Sequence, residues 1–210
     1  MVAFHHRGLE KIRPVLGRPN NVASGETRHA AQKLTRQGFA NSMIDAILRD
    51  LRQPEYIHVL LNPLPVYGLA MGLLGLIVAF FLRSRPAQIA TLIVVLITAA
   101  SAWPVYEFGE QAKDRVLSME NEVGDAWLEE HQDRAEDLIW LFYALAVLSA
   151  GALIAPRKWP RSGTPLVIAV ILLGLGTLGA GGYIAYAGGK VRHREFRNVP
   201  PPTRKPGTER

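Results

Sequence analysis

Long apolar runs alternate with polar segments along the chain. The runs cover residues 57–82, 89–103, 138–155 and 166–187. A bilayer core is crossed by a helix of roughly 20 mainly apolar residues. Because a backbone in lipid must satisfy its own hydrogen bonds, a helix is the natural element for such a run. The pattern predicts an all-α membrane protein, a four-helix bundle with transmembrane helices at about 57–82, 87–106, 136–155 and 165–188.

Polar regions flank this membrane domain, which we place at 57–189. Apolar residues recur at three- and four-residue spacing near the end of region 1–56, at Met43, Ile44, Ile47, Leu48 and Leu51. This spacing predicts an amphipathic helix over about 41–52, suited either to the membrane interface or to a partner protein. Residues 190–210 are basic and rich in proline, which predicts a polar tail.

The segment 109–137, between the second and third apolar runs, is strongly acidic. Its apolar residues nevertheless follow helical spacing, at Ala112, Val116, Met119, Val123 and Trp127, with His131 in the same series. The spacing predicts a helical acidic loop that lies against the bundle, with Gly124 as a position where it can break.

Small residues recur every four positions in the fourth apolar run, at Thr177, Gly181, Ala185 and Gly189. Small residues at this interval let helix backbones approach closely in lipid. We therefore predict that these four residues form a packing surface. The glycine-rich stretch 174–182 lies inside an apolar run, so it is read as packing and not as a phosphate-binding loop.

The composition narrows the chemistry. The chain has 210 residues, no cysteine and a formal net charge of +6. The absence of cysteine excludes disulfides, thiolate-held zinc, cysteine-ligated iron–sulfur clusters and covalently attached haem. A metal or haem must then be held by other side chains. The positive charge of a membrane protein points to anionic lipid headgroups rather than to nucleic acid.

Basic residues crowd the two shortest connections. Arg83, Arg85, Arg157, Lys158 and Arg161 lie there without any acidic residue. By the positive-inside rule these turns are cytoplasmic, which puts both termini on the periplasmic side of a bacterial inner membrane. The basic N-terminal region, with no apolar leader in residues 1–18, favours the opposite orientation. The first span is expected to direct insertion itself.

Two of the six histidines, His58 and His131, adjoin apolar runs. Both lie near the start of an odd-numbered span, so both belong to the same membrane face. Two histidines that converge inside a bundle suit the axial positions of a b-type haem. The alternative interpretation is that each imidazole makes a hydrogen bond to a loop at the interface.

Other site chemistry is less supported. A metal ion could be bound by His131 and by carboxylate oxygens of the acidic residues between the second and third spans. These residues are Glu107, Glu110, Glu129, Glu130 and Asp133. They form no recognised ligand motif. No Gly-x-Ser-x-Gly sequence and no Ser-His-Asp set occurs in the spans, so no enzyme activity is predicted. The near absence of charge in the spans argues against a transport pathway.

Three motifs resemble a bacterial four-transmembrane family known as domain of unknown function 2231. The family's opening motif, His-Pro-Leu-Leu-Val-His-Phe-Pro, is similar to His58-Val-Leu-Leu-Asn-Pro-Leu-Pro65, where Pro63 stands in place of the second His. The family also has a histidine that follows acidic residues just before the third span, and Glu129-Glu-His131 is similar to this motif. The family's Gly-Gly, Tyr and Gly ending resembles residues 181–189. The resemblance covers about residues 55–192 and implies a redox context with exported termini.

These observations predict a small integral membrane subunit associated with an electron-transfer complex. It would hold a b-type haem between the first and third helices through His58 and His131. The alternative is a non-catalytic accessory subunit that scaffolds a larger membrane complex. Both readings expect the lipid bilayer and other membrane subunits as partners.

Overall fold

The computed structural model describes residues 39 and 41–203. The described residues fall into two units, with the boundary between Ala46 and Ile47. Residues 41–50 are helical, in agreement with the predicted helix over 41–52. The rest of the predicted polar regions, at 1–38, 40 and 204–210, lies outside the described residues.

Four helices are long and apolar enough to cross a membrane. They are Pro54–Phe81, Arg85–Leu117, Glu122–Lys158 and Pro160–Arg192, called spans 1 to 4 below. The part of the chain that the structure describes contains no strand. The predicted all-α bundle of four membrane-spanning helices is therefore confirmed.

The spans are built from shorter regular pieces. Span 1 contains the α-helices Pro54–Leu61 and Leu69–Phe81, with a π-helical turn, Leu64–Gly68, between them. Span 2 contains Arg85–Ala100 and Ala102–Leu117. Span 3 is the single helix Glu122–Lys158. Span 4 begins with the short 3₁₀ turn Pro160–Ser162 and continues as Gly163–Arg192, and the 3₁₀ helix Arg194–Phe196 follows it.

The π-helical turn in span 1 coincides with two prolines. Pro63 and Pro65 have no backbone N–H, so each leaves one carbonyl of the preceding turn without its helical donor. The turn widens here, and the N–H of Leu69 bonds the carbonyl of Leu64, five residues earlier. Such turns are typical of functional sites, and this one lies shortly after His58.

The acidic segment is helical, as predicted, and it forms the ends of spans 2 and 3. Span 2 runs to Leu117 and span 3 begins at Glu122. The break falls at 118–121, before Gly124, because the Asn121 side chain accepts a hydrogen bond from the Gly124 N–H at 2.9 Å and caps the new helix. The two helices therefore extend well beyond the apolar runs that predicted them.

The predicted tail boundary at residue 190 is corrected by span 4, which continues to Arg192. Lys190 is only 2% exposed. The Arg197 guanidinium then folds back, donating to the carbonyl of Lys190 at 2.7 Å and to the Asn121 side chain at 3.0 Å. The start of the tail is thus anchored to the turn between spans 2 and 3, a contact for which proline and charge content give no signal.

Glycines bring spans 1 and 2 close together. A Cβ on Gly68 would lie 2.7 Å from Thr98 Cγ2, and one on Gly75 would lie 2.8 Å from Thr91 Cγ2. Both threonine hydroxyls are tied to their own helix, which leaves their methyl groups little freedom. Small residues therefore mediate close helix packing in span 1 as well. The sequence analysis predicted such packing only for span 4.

Only the first two residues of the small-residue series in span 4, Thr177 and Gly181, pack closely against neighbouring helices. Thr177 is fully buried, and a Cβ on Gly181 would lie 3.2 Å from the Phe142 ring. Ala185 is exposed, and a Cβ on Gly189 would meet nothing within 4 Å. Ala185 lines the pocket among the spans, so its exposed surface faces that cavity. Four residues turn a helix by about 400°, so the row rotates by about 40° at each step.

Candidate functional site

A pocket opens among all four spans at the end of the bundle where spans 1 and 3 begin. Its cavity volume is about 140 Å³, below the range of about 300–1,000 Å³ typical of ligand sites. The wall is largely aliphatic and aromatic. His58 and His131 both line it, so the structure brings the two predicted site residues into one cavity.

His58 is held by span 2. Its Nδ1 lies 2.8 Å from the carbonyl oxygen of Val105. A carbonyl only accepts hydrogen bonds, so Nδ1 carries the proton and donates it. In the neutral ring, Nε2 is then the unprotonated nitrogen with a lone pair. This contact is the hydrogen bond that the alternative interpretation expected, although its acceptor is a helix carbonyl and not a loop.

His131 is held by span 4 in the same way. Its Nδ1 donates to the carbonyl oxygen of Ile184 at 3.0 Å. Its Nε2 is likewise the unprotonated nitrogen of the neutral ring. Metal-ligating histidines characteristically donate their second ring nitrogen to a carbonyl or carboxylate, which fixes the tautomer and the ring orientation. Both histidines of the pocket therefore have the outer contact of a ligand.

Each imidazole also lies against a glycine. A Cβ on Gly109 would lie 3.0 Å from both Cε1 and Nδ1 of His58. A Cβ on Gly188 would lie 3.0 Å from the same two atoms of His131. Carbon contacts are optimal at about 3.5–4.0 Å, so any larger residue would push the ring away. Sequence reasoning did not select these two glycines.

Several polar side chains line the pocket. Gln132 of span 3 donates its side-chain N–H to the Glu110 carboxylate of span 2 at 3.0 Å. Lys113 and Asn62 also line the pocket. The lining thus combines mostly apolar side chains with a few polar ones, including the Lys113 ammonium and the Glu110 carboxylate.

The acidic residues considered as metal ligands do not converge. Within residues 39 and 41–203, no group of three or more His, Asp or Glu side chains is placed to hold a metal ion. Glu130 instead pairs with Arg134 at 2.8 Å, and Glu110 accepts from Gln132. The geometry therefore adds nothing to the hard-metal interpretation.

A buried cation lies near the end of span 4. The Lys190 ammonium is 4.3 Å from the centre of the Trp127 ring and 4.2 Å from that of Tyr186. It also donates to the Tyr186 hydroxyl at 2.7 Å. The two aromatic faces and the hydroxyl offset part of the cost of burying this charge. The cluster joins spans 3 and 4 just beyond the pocket residues of span 4.

No known protein family, curated protein or solved structure matches this chain. The resemblance to domain of unknown function 2231 therefore remains a prediction from its three motifs.

Proposed function

We propose that this multi-pass membrane protein holds a b-type haem between His58 and His131 and carries electrons as part of a membrane redox complex. The proposal is carried by one observation. Two imidazoles line a single cavity, and each has its Nδ1 proton committed to a helix carbonyl. Two histidine ligands are a common way to hold a haem without covalent attachment.

The donor set fits such a group. In its neutral form each ring has an unprotonated Nε2, the nitrogen that a metal requires. The lining is mostly apolar, as a porphyrin face requires, and it includes the Lys113 ammonium, which would pair with a carboxylate substituent, beside the Glu110 carboxylate. The cavity of about 140 Å³ must widen to hold a group of this size. His58 and His131 would hold the haem, which would supply a reversible one-electron couple when bound. The protein's own part is to orient the rings and to exclude water.

The first test is the visible spectrum of the purified protein. Cells are supplied with haem, and the full chain is extracted in mild detergent. A Soret band at about 400–430 nm, sharpened and shifted on reduction, is the expected result for haem held by two histidines. Protein that stays colourless after haem supply in cells, and after haemin addition to the purified chain, overturns the proposal.

The accessory role stays open as a second candidate because of the helix over 41–50. Four of its apolar side chains, Met43, Ile44, Ile47 and Leu48, are about half exposed. An apolar helix face of this kind is stabilised when it is buried, either in the lipid interface or against another protein. Purification through an affinity tag distinguishes the roles, because a scaffold is expected to bring other membrane subunits with it. A chain that purifies alone as a monomer argues against scaffolding.

We also propose that the termini face the periplasm of a bacterial inner membrane. The support is the cluster of basic residues at the short turns between spans 1 and 2 and between spans 3 and 4. A phosphatase that folds only after export, fused after Arg210, is expected to be active. A silent phosphatase, together with an active cytoplasmic reporter at the same position, reverses the orientation.

A further inference from the structure

The two halves of the bundle make the same contact. In the first half, His58 of span 1 bonds the carbonyl of Val105 in span 2 and lies against Gly109. In the second half, His131 of span 3 bonds the carbonyl of Ile184 in span 4 and lies against Gly188. We call these sets half-site A (His58, Val105, Gly109) and half-site B (His131, Ile184, Gly188).

The sequence repeats in register with these contacts. In each even-numbered span the first α-helix, Arg85–Ala100 or Gly163–Arg192, has a proline in its first turn. The carbonyl residue and then the glycine follow it along the span; the sets are Pro86, Val105 and Gly109 in span 2, and Pro165, Ile184 and Gly188 in span 4. The intervals from proline to carbonyl and from carbonyl to glycine are identical in the two spans. Arg-Ser also precedes both prolines, at 83–84 and at 161–162, but this pair is out of register by one residue.

Helix geometry explains why a glycine follows the carbonyl at the fourth position. A helix carbonyl accepts from the N–H four residues later, so that residue lies one turn above it on the same face. An imidazole that reaches the carbonyl from the side must pass the Cβ of that residue. Glycine removes this Cβ, and the 3.0 Å separations show that no other residue fits without moving the ring.

We propose that half-sites A and B are equivalent halves of one two-fold ligand site, and that Gly109 and Gly188 are the positioning residues that set the angles of its two imidazoles. Spans 1 and 3 run in the same direction, so the halves correspond to a parallel repeat about an axis along the membrane normal. The ligand must accept one imidazole from each half. Its identity as a haem rests on the proposed function, whereas the role of the glycines does not.

The test uses alanine at each positioning glycine and at neighbouring glycines. Gly188→Ala adds a methyl group against His131, whereas Gly189→Ala adds one on the same turn where nothing lies within 4 Å. Gly75→Ala serves as the packing control, because it crowds Thr91 at a place that does not line the pocket. All variants are made in the full chain and studied in detergent.

Two readouts are recorded. The first is the Nδ1–H resonance of each histidine in ¹⁵N-labelled protein without added haem, assigned with His58→Gln and His131→Gln. Gly109→Ala is expected to shift or abolish the His58 resonance alone, and Gly188→Ala the His131 resonance alone. The second is the electron paramagnetic resonance signal of the haem-loaded protein, which reports the angle between axial rings. Both alanine variants at the positioning glycines are expected to shift it.

The outcomes separate the two proposals. If the wild type binds no haem but the histidine resonances respond as expected, the proposed function fails and the positioning role stands. If haem binds and Gly188→Ala behaves like Gly189→Ala in both readouts, the positioning role is overturned. Gly75→Ala is expected to lower stability without moving either resonance. A shift of both resonances in every alanine variant would identify general packing damage and also overturn the proposal.

Discussion

Replacing His131 by alanine is expected to abolish the spectrum of a haem with two histidine ligands and to weaken haem binding by at least about 100-fold. The expectation follows from the two roles of this side chain. Its Nε2 is the proposed ligand, and its Nδ1–H bond to Ile184 fixes the ring. Loss of an outer contact alone costs about 10–100-fold in metal affinity, so loss of the ligand itself costs more.

The measurement is a titration of haem-free protein with haemin, followed by absorbance and by electron paramagnetic resonance. His193→Ala is the matched control, because His193 is exposed beyond the end of span 4 and contacts the Glu195 carboxylate at 3.0 Å. Free imidazole is expected to restore the spectrum of His131→Ala by filling the vacated space. A variant that keeps the wild-type spectrum and affinity shows that His131 is not a ligand; the same design applies to His58→Ala.

Arg197→Ala is expected to lower the free energy of unfolding by about 3 kcal/mol and to release the chain beyond span 4. Arg197 lies 3.5 Å from the Glu120 carboxylate, and their side chains are only 9% and 6% exposed. Breaking a buried pair by removing one partner costs about 3–5 kcal/mol. Glu120 keeps a second contact with Arg192 at 3.3 Å, which places the expected loss at the lower end of that range.

Unfolding in detergent and limited proteolysis of the C-terminal segment measure the two consequences. Arg194→Ala provides the control, since Arg194 belongs to the same short helix and is exposed. Its loss is expected to leave both stability and proteolysis unchanged. Equal effects of the two substitutions would show that the segment is held by something other than the Arg197 contacts.

The membrane bundle was predictable because lipid imposes a simple rule on sequence. Each span needs about 20 mainly apolar residues, and this requirement is visible without any knowledge of tertiary contacts. The helical continuation into 107–117 and 122–135 has no such signal in hydropathy. It was visible only through helical spacing, and the exact break depended on the cap at Asn121. The longer bounds of spans 2 and 3 therefore came from the structure.

The site was predictable in part for a related reason. Histidines beside apolar runs are rare enough to select, which identified His58 and His131. Their acceptors are backbone oxygens of Val105 and Ile184, and any residue type offers a carbonyl, so the sequence carries no mark of them. Gly188 was hidden among the many glycines of span 4. Gly188 follows Pro165 at the same interval as Gly109 follows Pro86. This repeated interval is the signal that could have identified both glycines.

The π-helical turn at Leu64–Gly68 has a consequence for the direction in which His58 points. A π-helical turn accommodates one residue more than an α-helical turn, and each residue corresponds to about 100° of rotation about the axis. The short helix that carries His58 is therefore rotated relative to an uninterrupted span 1. Deleting one residue from this turn would restore regular winding and swing the imidazole toward a different neighbour. The two prolines thus set the rotation of the short helix that carries His58 relative to the rest of span 1.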